Sequence, residues 1–131
     1  MEHVQIPGTE LHASRVALGT WAIGGWLWGG TEGNEPIRTI HAALDTGINV
    51  IDTAPVYGFG LAEELVGEAL AERGGRDRVI LATKAGLEWF EAGGQQRVQR
   101  NASRDRLRRE VEDSLRRLRT AVIDIYQVHW P

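Results

Sequence analysis

Asp52, Tyr57, Lys84 and His129 are ionisable residues of four different types, and each stands at or just past the end of an apolar run. Asp52 closes Ile48 to Ile51, Lys84 closes Val79 to Thr83, His129 follows Val128, and Tyr57 sits in the segment after Asp52. A carboxylate within ~4–6 Å keeps a partly buried lysine charged. A charged lysine beside a tyrosine hydroxyl stabilises the phenolate and makes the tyrosine a better proton donor. A histidine can orient a carbonyl oxygen or share in the proton transfer. Taken together, the set suits the polarisation and protonation of a carbonyl group. Any one of these residues alone is more often the soluble end of a buried strand. A shared site explains why all four occur in this position.

Lys84 carries the most information. The chain has fifteen basic residues, and Lys84 is the single lysine among them. Arginine is a bulky planar fork that is never deprotonated, whereas lysine is a compact point charge whose proton can be tuned. Arginine-biased composition could leave one lysine by chance, but it does not explain a lysine at a strand mouth. The sequence offers no competing metal triad, and no metal site is expected.

The elements that would position these residues follow from periodicity. Val4 to Ile6, a Pro7-Gly8-Thr9 turn and Glu10 to His12 read as a hairpin. Arg15 to Leu18 reads as a short strand leading into a loop rich in glycine and tryptophan, 19–30. Asn34 is a candidate N-cap with Pro36 in the first turn, and Ile37, Ile40 and Leu44 fall at helical spacing before Gly47. Ile48 to Ile51 is a buried strand. Ala62, Leu65, Val66, Ala69 and Leu70 form the stripe of a second helix, closed by Gly74-Gly75. Val79 to Thr83 is a third strand. Lys84 to Ala102 reads as a long polar loop. Ser103 then caps a helix with the stripe Leu107, Val111, Leu115 and Leu118, and Ala121 to Val128 is a fourth strand.

Strands alternating with single helices imply right-handed crossovers and a parallel sheet. The unusual loops all follow strands, which is the active-site side of a (β/α)8 architecture, the TIM barrel. A doubly wound open sheet is the competing arrangement, but glycines 19, 24, 25, 29 and 30 do not match G-x-G-x-x-G. The expectation is one α/β domain over 1–131, with an N-terminal hairpin at 1–14 and four strands and three helices at 15–131. A full barrel needs ~250 residues, so this length reads as an incomplete, N-terminal half.

Composition narrows the function classes. Hydrophobic residues make up 42% and charged residues 25%, as in globular domains. The net charge of −3 gives no electrostatic reason to expect nucleic acid or an acidic membrane as partner. The chain has no cysteine, which removes disulfides and cysteine nucleophiles. Met1-Glu2-His3-Val4 lacks a signal-peptide pattern, and no apolar run approaches ~20 residues, so a cytoplasmic location is expected. The arginine-dense segment from Ser103 to Arg119 is interleaved with acids. Arg106–Glu110, Arg108–Glu112 and Arg109–Asp113 are i, i+4 pairs, which predicts a solvated, salt-bridged outer helix face rather than a nucleic-acid surface.

Ile51-Asp52-Thr53-Ala54-Pro55-Val56-Tyr57-Gly58, followed by Glu63-Glu64-Leu65-Val66-Gly67-Glu68-Ala69-Leu70, resembles the signature of the aldo-keto reductases. Leu18-Gly19-Thr20-Trp21, Ala82-Thr83-Lys84 and Asp124-Ile125-Tyr126-Gln127-Val128-His129-Trp130 resemble the family's other strand ends, in family order. The run from Gly24 to Gly30 is similar to the prokaryotic and plant members that act on general aldehydes and ketones. The resemblance implies NADPH-dependent (NADP-linked) reduction of a small carbonyl substrate, with Tyr57 as acid, Asp52 and Lys84 tuning it, and His129 placing the carbonyl. It lends cofactor contacts to Thr20, Trp21, Asp52, His129 and Trp130. Trp21, Trp26 and Trp89 are candidates for an apolar substrate wall, although a tryptophan such as Trp89 can equally cover the barrel rim.

The resemblance also implies that strands five to eight, with the phosphate-gripping residues, come from elsewhere: a separate C-terminal half or a second copy. The 131 residues alone are then expected to be inactive. Two other readings remain at this point. One is a lyase forming a Schiff base on Lys84, which the neighbouring Asp52 argues against. The other is a non-catalytic half-barrel serving assembly or binding.

Overall fold

The computed structural model describes residues 1–30 and 32–130; Thr31 and Pro131 lie outside the described residues. The chain opens with an antiparallel hairpin of β1 (His3–Gln5) and β2 (His12–Ser14). The hairpin is as expected, but its second strand lies two residues later than Glu10 to His12. The connection is wider than the Pro7-Gly8-Thr9 turn because Ile6 N–H donates to Leu11 O at 2.9 Å and closes a larger loop. There follow β3 (Leu18–Gly19), α1 (Glu35–Asp45), β4 (Val50–Asp52), α2 (Leu61–Arg73) and β5 (Ile80–Ala85). After them come β6 (Leu87–Ala92), β7 (Gln95–Arg100), α3 (Arg104–Arg117) and β8 (Ile125–Val128).

The four strands β3, β4, β5 and β8 form one sheet in that order, and every pairing is parallel. With a helix on each crossover, this is the first half of a (β/α)8 barrel. The apolar stripes do the packing. Ile40 of α1, Ile51 of β4, Val66 of α2, Leu81 of β5 and Leu118 just after α3 are 0–1% exposed and make one core. Each such aliphatic side chain contributes about 1.5–3 kcal/mol on burial. Asn34 and Ser103 stand at the N-cap positions read from the sequence, but neither side chain makes a capping hydrogen bond.

Two expectations need correction. The segment from Lys84 to Ala102 is not a polar loop. It holds a six-residue antiparallel ladder, β6 on β7, with Ala92 opposite Gln95 across Gly93-Gly94. Both glycines have positive φ, 62° and 72°, which a two-residue hairpin turn of the right twist demands. Its inner face packs down rather than out, with Leu87 buried and Trp89 opposite Val98. The face of α3 is also less solvated than its charges suggest. Arg106 pairs with Glu110 at 3.2 Å as expected, but Glu110 is buried, and Arg117 reaches across to the fully buried Glu63 of α2 at 2.7 Å. Asp113 pairs with Arg116 rather than Arg109, whose Nε donates to the Asp105 carbonyl. Helix charges therefore serve partly as glue between layers.

Candidate active site

The register of the sheet brings the candidate residues together. Asp52 ends β4 and lies opposite Ala82 of β5. Ala82 and Lys84 share a face of their strand because side chains alternate. Lys84 thus lies one step beyond Asp52 on the same face, and its long stem reaches the carboxylate. Its Nζ donates to Asp52 Oδ1 and Oδ2, both at 2.9 Å, and to the Thr53 carbonyl at 2.9 Å. It also lies 3.3 Å from Tyr57 Oη and 4.9 Å from the centre of the Tyr57 ring. An ammonium has three N–H donors and no acceptor, so all of them are engaged among these four oxygens.

Tyr57 is placed by its loop. A Cβ on Gly24 would lie 2.6 Å from the Tyr57 carbonyl carbon, so the loop after β3 touches the loop after β4 backbone to backbone only because residue 24 is glycine. Trp21 stacks on the Tyr57 ring at 5.9 Å between centroids, and His129 meets the same ring edge-on at 5.7 Å. Trp130 tilts against His129 at 5.8 Å. Trp21, Trp26, Val56, Tyr57, His129 and Trp130 enclose a cleft of about 120 Å³. Burial and the neighbouring Lys84 ammonium push the His129 pKa below its ordinary value, against the opposing pull of Asp52. The ring is therefore neutral at pH 7, with one nitrogen able to donate and the other to accept.

The structure brings Asp52, Tyr57, Lys84 and His129 into one cluster and sets Trp21, Trp26 and Trp130 around its opening. Trp89 stands apart from that cleft. It packs on Phe59 at 5.9 Å, and Phe59 packs on Trp26 at 5.3 Å, so Trp89 touches the site at second hand through the hairpin. Thr20 is fully buried, and its hydroxyl and amide both donate to the Asp52 carbonyl, at 3.1 and 3.0 Å. The reading of the sequence missed the Thr53 carbonyl as a lysine acceptor and Val56 as cleft lining. Both lie within the segment Asp52 to Tyr57, whose conformation periodicity does not specify. Among the described residues there is no group of three or more His, Cys, Asp or Glu able to hold a metal.

A lysine locked between a carboxylate and a phenol oxygen, beside a neutral imidazole, can support proton donation into an aromatic cleft. Residues 15–131 match the model of the Aldo/keto reductase family. The chain belongs to the aldo/keto reductase family. This family member is 56% identical to the aldo-keto reductase YhdN of Bacillus subtilis over its whole length, which is 38% of that relative. It is 41% identical to the NADH-specific methylglyoxal reductase of Escherichia coli, covering 99% of this chain and 42% of that protein. The solved glycerol dehydrogenase AKR11B4 of Gluconobacter oxydans superposes with a TM-score of 0.87 at 58% identity, covering 98% of this chain and 39% of that one. The chain thus spans about two-fifths of the length of these aldo/keto reductases. No helix among the described residues is long and apolar enough to cross a membrane.

Proposed function

We propose that these residues carry the proton-donating half of an NADPH-dependent reduction of aldehydes or ketones to alcohols, with Tyr57 as general acid. The observation that carries the reading is the placement of Lys84 Nζ, 2.9 Å from both Asp52 oxygens and 3.3 Å from Tyr57 Oη. Because the ammonium donates to the phenol oxygen, the phenol's own proton points elsewhere, toward the cleft. A substrate carbonyl seated there receives one hydrogen bond from Tyr57 and one from the neutral His129 ring. As negative charge grows on the carbonyl oxygen, Tyr57 gives up its proton, and Lys84 stabilises the phenolate left behind. Asp52 balances the lysine charge.

The residues fit a nicotinamide cofactor in part. Trp21 and Trp130, 39% and 45% exposed, offer flat rings beside Tyr57 and His129, which suits a planar ring held edge to face. In this reading Trp21, Asp52, His129 and Trp130 would hold the nicotinamide end. Thr20 would act through the Asp52 backbone that it fixes. When bound, the reduced cofactor supplies a hydride to the carbonyl carbon. Structures of a Klebsiella pneumoniae relative contain NADP and NADPH, which supports the phosphorylated form, while the Escherichia coli relative is named as NADH-specific. The Schiff-base reading is disfavoured because a lysine with every N–H engaged as a donor has no free lone pair to attack a carbonyl.

We propose further that turnover needs the remainder of the barrel, joined in one polypeptide or supplied as a C-terminal half, and that a lone 131-residue chain is inactive. The hydride donor must be held ~3–3.5 Å from its target, and the described residues build only one wall of such a site. No nucleic-acid or membrane partner enters this reading. The test is Tyr57→Phe in the completed barrel. A loss of ~10²-fold or more in kcat with little change in cofactor affinity is expected. Near-normal turnover would remove Tyr57 from the chemistry.

A further inference from the structure

One peptide plane connects the two sides of the site. The Ala85 carbonyl accepts a hydrogen bond from the His129 backbone N–H at 2.9 Å. On the other edge of the same plane, Gly86 N–H donates to Glu110 Oε2 of α3 at 2.8 Å. Ala85 directly follows Lys84 in β5, so this peptide sets where the lysine backbone ends and where the histidine backbone begins. The side chain that holds it is the Glu110 carboxylate.

Glu110 is an unusual residue to find there. It is 2% exposed, the one buried charged residue of α3. Its second oxygen, Oε1, accepts from Arg106 at 3.2 Å. Arg106 in turn lies 3.9 Å from Glu88 of the hairpin, and Glu88 accepts from Gln99 and from Asn101. Burial pushes the Glu110 carboxyl pKa up, against the pull of the Gly86 amide and Arg106. Burying a carboxylate carries a desolvation cost, which this pair and this amide oppose. An apolar residue would fill the position more cheaply if packing were its whole purpose. Glu110 also lines one narrow crevice with Lys84, Ala85 and His129.

We propose that Glu110 is a positioning residue for the reduction: by gripping Gly86 N–H it fixes the Ala85–Gly86 peptide, and through that plane the relative placement of Lys84 and His129. This rests on the function proposed above. A positioning group of this kind acts on the geometry in which the carbonyl is protonated rather than on substrate affinity. A misplacement of about 1 Å in such a geometry is enough to slow turnover.

The experiment compares Glu110→Met, which keeps volume and loses the acceptor, with Glu110→Gln, which keeps an acceptor for Gly86. Both are made in the completed barrel and assayed for kcat and KM with a simple aldehyde and NADPH. Asp124→Ala, which removes an ion pair at the far end of the sheet, serves as a control for lost stability. Glu110→Met is expected to lower kcat at least tenfold with KM changed less than threefold. Glu110→Gln should recover kcat to within about threefold of the parent, and Asp124→Ala should leave it unchanged. A parental kcat in Glu110→Met would overturn the proposal. So would a loss that Glu110→Gln does not rescue, or one that Asp124→Ala reproduces. If Glu110→Met does not fold, Glu110→Asp replaces it, being one methylene too short to reach Gly86, with the same expected loss. Tyr57→Phe in the same preparation separates the two claims. An active Tyr57→Phe contradicts the proposed function, whereas an inactive Tyr57→Phe beside a fully active Glu110→Met contradicts only this inference.

Discussion

The two ends of the parallel sheet both carry a part-buried ion pair, and they use it differently. At the amino-terminal end, Asp124 accepts from Leu81 N–H at 2.8 Å and from Arg76 at 2.7 Å. Arg76 then donates to the carbonyls of Val79 and Val122, each at 2.6 Å. This pair ends on backbone and stitches β5 to the segment entering β8. At the carboxyl-terminal end, Lys84 and Asp52 lead to the Tyr57 oxygen and so to an open aromatic cleft. Charge and partial burial therefore do not by themselves distinguish a structural pair from one proposed to do chemistry. The distinction lies in where the hydrogen-bond chain terminates: on main chain in one case, on a titratable group facing a cleft in the other.

The comparison breaks most sharply at Lys84. Lys84→Arg keeps the charge, but a planar fork cannot place its donors as a compact ammonium does. In the completed barrel it is expected to slow turnover by ~10²-fold or more while leaving the melting temperature within a few degrees. Full activity would mean that charge alone is needed and that the single lysine carries no special information.

Asp124→Ala probes the other end and should show the reverse pattern. It strands Leu81 N–H and leaves Arg76 without its carboxylate, at a cost of about 2–3 kcal/mol. Chemical denaturation should show a lower midpoint with an unchanged slope, and kcat should hold. A stable Asp124→Ala, or one that is slow in turnover, would erase the contrast between the two ends.

The smallest expected effect is the titration of His129. Its pKa in the fold lies below the ordinary histidine value because burial and Lys84 both disfavour the imidazolium. In the window between that lowered value and ~6.5, the unfolded chain binds more protons than the folded one, so stability rises with pH there and is lost as pH falls. NMR of the imidazole protons should give a midpoint below 6.5, moving up in Lys84→Met. A midpoint at or above 6.5 would place His129 outside the field of the lysine.

The site was more legible in the sequence than the elements that support it. Asp52, Lys84 and His129 announce themselves because a polar residue ending an apolar run has few places to go. The order of the parallel strands then brings them together. The hairpin of β6 and β7 was not read from the sequence, although Gly93-Gly94 stands between its two six-residue strands. Glu88 and Gln99 on its opposite face masked the alternation of Leu87 and Trp89. Glu63 and Glu110 were not legible. A glutamate in a charged helix reads as solvated, and what buries each one is remote: Arg117 lies 54 residues from Glu63, and Gly86 lies 24 from Glu110. Periodicity reports which face of a helix is apolar. It does not report which charge on the flank of that face finds a partner in another layer.

The central claim is that Lys84 acts through Tyr57 and not beside it. A double-mutant cycle of Lys84→Met and Tyr57→Phe on kcat, in the completed barrel, tests it directly. If the lysine works by stabilising the phenolate, it has nothing to stabilise once the hydroxyl is gone. The double variant is then expected to be no slower than Tyr57→Phe alone, within about threefold. Losses that multiply, so that the double variant falls by the product of the two single effects, would contradict the account.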